Sequence, residues 1–265
     1  MGRLATMMGA ALVGAAAASP VLADAPIPWA IGFQNGASPV MERITTLSTF
    51  INGVIIVVVI MVTALVAWVA WRFNSGRNPH PATWSHNTKL EIAWTAIPAV
   101  ILLVIAIPSF RLLYFMDRVQ AAEMTLKVTG HQWYWSYEYP DQGGLKFDAQ
   151  MVPDDQLKPG QPRLLATDNA VVLPVGVPIR VLVTGDDVVH SWSVPAFGIK
   201  TDAVPGRANE TWVRIDQPGI YFGQCSQLCG VNHAYMPIMV QAVPKQQFHA
   251  WAEQARIRFA DIRQR

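Results

Sequence analysis

Cys225, Cys229, His233 and Met236 fall within the twelve residues "CSQLCGVNHAYM", and the two cysteines are the only thiols in the 265-residue chain. Thiolate, imidazole and thioether are soft donors that together select copper over hard cations. A second histidine, His190, follows a β-type run in "DDVVHSWSVP". A mononuclear blue-copper site takes one Cys, two His and an axial Met. Its Cys, His and Met share one loop, and the other His comes from an earlier strand. The spacing C-x3-C-x3-H-x2-M fits that plan with one thiolate to spare. Two thiolates can each bridge two coppers, which gives a compact two-metal centre with one imidazole per copper. Met236 and one backbone carbonyl complete such a shell. No position stays open for a substrate, so the chemistry it suits is electron transfer. A disulfide is the alternative for two cysteines in an oxidising compartment. Zinc is a further rival, though a thioether is a poor zinc ligand.

Donors from distant parts of the chain need a frame, and the composition says what kind. The chain is 52% apolar and 14% charged, with mean hydropathy +0.25. A soluble domain carries about 25% charge. The apolar excess sits in three runs. Residues 1–23 pair one Arg with a short Ala-rich stretch and end on Val21-Leu22-Ala23, the pattern of a cleaved signal peptide. An uncleaved anchor is the other reading. Residues 44–71 carry no charge over 28 positions, and residues 92–110 carry none over 19. A bilayer core needs about 20. Two transmembrane helices are expected, 44–72 and 91–116, joined by a cytoplasmic loop at 73–90. Arg72, Arg77 and Lys89 against Glu91 make that joining region positive, whereas the segment 24–43 carries Asp24, Glu42 and Arg43. Positive loops stay inside, so both ends of the hairpin face outward.

Beyond the hairpin, residues 117–243 carry 13 acidic and 9 basic side chains, a balance of −4. The pI of 8.6 hides this, because the tail 244–265 has 5 basic and 2 acidic residues. An acidic exported domain draws a basic soluble partner; a nucleic acid is not expected. Strand signals run through 124–130, 132–139, 170–185, 210–215 and 219–225, punctuated by Pro, Gly, Asp and Asn. They predict an all-β sandwich or barrel. The tail reads as an amphipathic helix with Phe248, Trp251, Ala252, Ala255, Phe259 and Ile262 on one face. It packs on the sandwich or a partner subunit, or else lies on a membrane surface.

The motifs "EIAWTAIPAVILLVIAIPSFRLLY", "GHQWYWSYEY", "RLLATDNAVVLPVGVPIRVLVTGDDVVHSWSVPAFGIKTDAVPGR" and "GQCSQLCGVNHAYMPI" resemble subunit II of haem–copper cytochrome c oxidases, in its bacterial form. The resemblance runs from the first spanning helix to Val243. It implies a cupredoxin-like Greek-key barrel at 117–243, holding a two-copper centre of the CuA type. The implied ligands are His190, Cys225, Gln227 through its backbone carbonyl, Cys229, His233 and Met236. Trp133 corresponds to the residue where electrons arrive from cytochrome c. Glu138, Asp148, Asp168 and Asp187 match acids that attract that cytochrome. Glu91 matches a carboxylate at the inner mouth of a proton pathway; an interfacial Glu that merely snorkels is the equal alternative. The implied setting is a bacterial inner membrane, with the N-terminus and the copper domain in the periplasm. Subunit I, which bears haem and copper, and subunit III are the implied neighbours.

Two departures stand out. The family usually has Glu where this chain has Gln227. That carboxylate serves a Mg or Mn ion shared with subunit I, and a neutral amide is a poorer ligand for a hard cation. Gly143 and Gly144 occupy positions where relatives carry extra acids. A C-x-x-C-H haem site is missing from the sequence, so the donor cytochrome is separate. Three other readings fit less well. A copper-free quinol-oxidase relative would lack the donor set. The soluble nitrous oxide reductase would lack the two spanning helices. A copper carrier would want exposed, exchangeable sites.

Overall fold

The computed structural model describes residues 23–117 and 121–263, with side chains described from 25 to 117 and from 121 to 260. Nearly all of the expected signal peptide, 1–23, and the side chain of Ile262 therefore lie outside the described residues. The chain builds a helical hairpin, a two-sheet β domain and a C-terminal helix.

Helix α1 spans Pro39–Arg72 and α2 spans Thr88–Asp117. Both are long and apolar enough to cross a membrane, and the central windows of both are unburied by the rest of the chain. The start of α1 is set locally. Ser38 Oγ accepts the Met41 amide at 3.0 Å and donates to the Phe197 carbonyl at 2.7 Å. Pro39 takes the first helical position, where a missing N–H costs nothing. Pro98 and Pro108 lie inside α2, as spanning helices allow. The base of the hairpin is wedged against the β domain. Arg43 stacks over Phe115 at 3.5 Å, Phe115 meets Trp212 edge-on, and the Trp212 indole donates to the Met116 carbonyl at 3.1 Å.

The strands are β1 (Ala23–Asp24), β2 (Met124–His131), β3 (Tyr134–Tyr139), β4 (Leu145–Ala149), β5 (Val171–Pro174), β6 (Ile179–Gly185), β7 (His190–Val194), β8 (Ile199–Ala203), β9 (Asn209–Val213), β10 (Gly219–Cys225) and β11 (Pro237–Val243). One sheet runs β5-β11-β10-β7-β8, with β1 beside β10; the other runs β4-β3-β2-β6-β9. Their inner faces share one core that includes Leu126, Val128, Trp135, Val181, Trp192 and Val240. This is the all-β architecture that the strand signals call for. Particular strands differ from the sequence reading. The run 170–185 is two strands in opposite sheets, because a turn at 175–176 and Pro178 interrupt it. His190 opens a strand instead of following one, since the chain bends at 186–188. Strands β4, β8 and β11 carried no clear β signal.

Helix α3 spans Lys245–Arg263. Phe248, Ala252, Ala255 and Phe259 are buried and recur at helical spacing. Phe259 stacks on Phe147 at 4.7 Å, and Trp251 lies 5.4 Å from Tyr139. The helix packs on the sandwich, and burying each aromatic ring contributes about 2–3 kcal/mol.

Candidate metal centre

The register between β7 and β10 pairs Cys225 with Trp192. Continued two residues further, it sets Gln227 opposite His190, which is where the chain leaves the ladder. The Ser226 amide still donates to the Ser191 carbonyl at 3.0 Å, so the loop departs while tethered to β7. Gly230 has φ +123°, and a Cβ there would sit 3.0 Å from the Trp133 ring. Glycine thus gives the loop its backbone conformation and lets it close against Trp133. The loop returns through a short turn at His233–Tyr235 into β11. The Trp135 indole donates to the Met236 carbonyl at 3.2 Å and pins that return.

This path gathers the sequence-predicted donors. Cys225 Sγ lies 3.9 Å from Cys229 Sγ and 4.0 Å from His190 Nδ1. Cys229 Sγ lies 3.5 Å from both His233 Nδ1 and Met236 Sδ. The Cys225 thiol reaches the Gln227 carbonyl at 3.4 Å. His190, Cys225 and Cys229 are buried, with their donor atoms mutually within 4.8 Å. The thiols are free, and their separation far exceeds the ~2.05 Å of a disulfide.

Electrostatics fits a cationic group between the sulfurs. Burial pushes the Cys225 thiol up, but hydrogen bonds from His190 and from the Gln227 and Ser191 backbone outweigh it and bring the pKa to about 7. Burial and the neighbouring Cys225 charge push Cys229 up to about 12. A charge on one thiol thus opposes a charge on the other, and a cation between the sulfurs would relieve that repulsion. The soft donor chemistry and the one-imidazole-per-thiol arrangement fit copper ions.

The Asp187 carboxylate touches this centre. It lies 2.8 Å from His190 Nε2 and accepts the Gln132 and Val188 amides. Burial alone would push this carboxyl up, but those bonds hold it below the usual carboxylate range. His190 is also desolvated, yet its bonds to Cys225 and Asp187 prevail and raise its pKa. Gln132 Nε2 donates to the Cys229 carbonyl at 2.8 Å, and Trp133 Nε1 donates to the same oxygen at 3.3 Å. Sequence reasoning missed both Gln132 and the contact of Asp187 with His190. A carboxylate three residues before a candidate ligand was the available signal.

The other acids lie elsewhere. Glu138, Asp148 and Asp168 line one groove of about 700 Å³, with Lys146, Asn169 and Phe259. Glu138 is 3.5 Å from Lys127. Asp148 accepts the Ser136 hydroxyl at 2.6 Å. Asp168 accepts the amides of Gln150 and Asn169. Glu91 is half-buried at the start of α2 and accepts the Asn87 amide at 3.3 Å, while Asn87 Oδ1 accepts the Leu90 amide. The pair caps the helix.

Comparison with known proteins agrees with this geometry. Residues 124–243 match the family described as cytochrome c oxidase subunit II, periplasmic domain, and residues 26–112 match its transmembrane domain. The chain is 46% identical over 229 residues to a probable cytochrome c oxidase subunit 2 of Rickettsia bellii, covering 86% of this chain and 85% of that one. It is 47% identical over 236 residues to cytochrome c oxidase subunit 2 of Zea mays, covering 87% and 91%. The crystal structure of the periplasmic domain of subunit II of cytochrome oxidase from Bradyrhizobium japonicum superposes with a TM-score of 0.51 at 51% identity. That match covers 54% of this chain and 99% of the other. The β domain is thus cupredoxin-like and membrane-anchored, and the chain belongs to the cytochrome c oxidase subunit II family.

Proposed function

We propose that this subunit is where electrons enter a proton-pumping terminal oxidase. It accepts them from cytochrome c and passes them to the haem of subunit I, where oxygen is reduced to water. One observation carries the reading: two unoxidised thiols 3.9 Å apart, each with its own imidazole. When bound there, a copper pair supplies a one-electron store that changes little in shape between its two states. His190 and His233 would hold it from opposite ends, Cys225 and Cys229 from the middle, and Met236 and the Gln227 carbonyl would complete the set.

The rest of the chain serves that task. The buried donors are rigid because each sits on a strand or on a pinned loop, which limits rearrangement on electron uptake. Trp133 is half-buried and reaches the Cys229 carbonyl through its own N–H, giving a short route from the surface to the sulfurs. Glu138, Asp148 and Asp168 present negative charge to a cationic cytochrome. The spanning helices anchor the domain at the outer face of a bacterial inner membrane, beside subunits I and III. Glu91, at the opposite end of the hairpin, is read as the carboxylate at the mouth of a proton pathway.

The test is metal analysis with EPR on the full chain purified in detergent. Two coppers per chain sharing one unpaired electron are expected, and Cys225→Ser should abolish that signal. One copper per chain, or a Cys225–Cys229 disulfide in the metal-loaded protein, would overturn the reading.

A further inference from the structure

The resemblance sets Asp187 among the acids that attract a cationic partner, but its surroundings differ from theirs. Glu138, Asp148 and Asp168 line the groove beside α3, and the bonds described for them involve none of the six donor residues. Asp187 spends both carboxylate oxygens inward. Oδ1 lies 2.8 Å from His190 Nε2 and accepts the Val188 amide at 2.6 Å. Oδ2 accepts the Gln132 amide at 2.7 Å. The histidine it meets has no exposed surface. The adjacent Asp186 instead faces His131, at 3.4 Å.

A carboxylate oxygen only accepts hydrogen bonds, so a contact of 2.8 Å requires the hydrogen on His190 Nε2. In the neutral imidazole that would ligate a metal, the Nδ1 lone pair is then bare, and Nδ1 is the atom that faces Cys225 Sγ. Gln132, held by the other oxygen, reaches across to the Cys229 carbonyl at 2.8 Å. One carboxylate thus grips the imidazole at one end of the centre and the turn that braces the loop at the other. We propose that Asp187 is the positioning residue of this centre: it selects the ligating tautomer of His190, fixes the plane of the ring and ties it to the Gln132–Trp133 turn. The inference rests on the copper reading above.

The consequences differ from those of a docking acid. A carboxylate behind a ligating imidazole strengthens the donor and stabilises the more cationic, oxidised state. Its loss should weaken the hold on copper by roughly 10–100-fold and raise the midpoint potential. A docking acid changes neither.

The experiment compares the wild-type full chain in detergent with Asp187→Ala, Asp187→Asn and Asp186→Asn. Copper retention against a chelator, the EPR spectrum and the midpoint potential are read for each. Asp187→Ala should lose copper affinity on the scale given above and alter the EPR pattern. Asp187→Asn keeps an acceptor oxygen, so it should retain more copper yet still show a raised potential. Asp186→Asn removes the same charge one residue away and should match wild type in all three. If Asp187→Ala fails to fold, Asp187→Asn decides, and an unchanged potential there overturns the proposal. Wild-type spectra, affinity and potential in both Asp187 variants, with only weaker cytochrome c binding, would return Asp187 to the docking acids. A wild-type chain that does not hold two coppers would instead overturn the copper reading, and this inference with it.

Discussion

The indole N–H of Trp133 donates to the main-chain carbonyl of Cys229 at 3.3 Å. An aromatic ring on the β2–β3 turn is therefore one hydrogen bond from a residue that carries a donor sulfur. The ring contributes none of the six donors, so removing it should leave the centre's composition intact. Trp133→Gln is expected to keep the copper spectrum while slowing cytochrome c oxidation by about tenfold or more, equivalent to ~1.4 kcal/mol on the barrier. Stopped-flow oxidation of reduced cytochrome c reads this directly, and a wild-type rate would remove Trp133 from the route.

Gly130 is the neighbour that gives His190 its space. A Cβ at Gly130 would lie 2.9 Å from both Cδ2 and Cγ of the His190 ring. That ring is fully buried and held at Nε2 by Asp187, so it has little room to yield. Overpacking of this kind costs about 1–3 kcal/mol. Gly130→Ala should lower the melting temperature and loosen copper together. Retention and melting equal to wild type would mean that the ring can move aside.

The acidic groove should govern encounter and leave the centre alone. Glu138→Gln and Asp168→Asn are each expected to raise the Michaelis constant for cytochrome c about two- to fivefold, the worth of an exposed charge interaction. Each should also flatten the dependence on salt, because steering is screened. The copper spectrum should stay as it is. Steady-state kinetics over a range of ionic strength checks this, and an unchanged salt slope would move the docking face elsewhere.

Gln227 is exposed on the loop, and its carbonyl faces the Cys225 thiol. A hard cation of the kind the resemblance implies there would prefer a charged oxygen. Gln227→Glu should therefore increase Mn retained by the oxidase from cells grown in excess Mn, with the copper spectrum nearly constant. Equal stoichiometric Mn in both proteins would show that other ligands suffice.

Much of this protein is legible in one dimension. The hairpin could be read because a bilayer demands long uncharged runs, and 44–71 and 92–110 supply them. The all-β class could be read from β-branched and aromatic runs between turn formers. The soft-donor loop could be read because Cys225, Cys229, His233 and Met236 share one short covalent segment, whose chemistry hardly depends on the fold.

Other features exist only once the sheets are paired. His190 reaches Cys225, 35 positions away, because β7 and β10 are neighbours in register. No local propensity encodes that pairing. The run 170–185 looks continuous yet splits between two sheets, since the turn at 175–176 matters more than the hydrophobicity around it. The four acids look alike in the sequence. Packing parts them, three into the groove beside α3 and Asp187 onto a buried imidazole, because the bend at 186–188 aims that one carboxylate inward. Side-chain type can be read from a sequence, but what each side chain faces is decided by long-range pairing, which is a property of the whole fold.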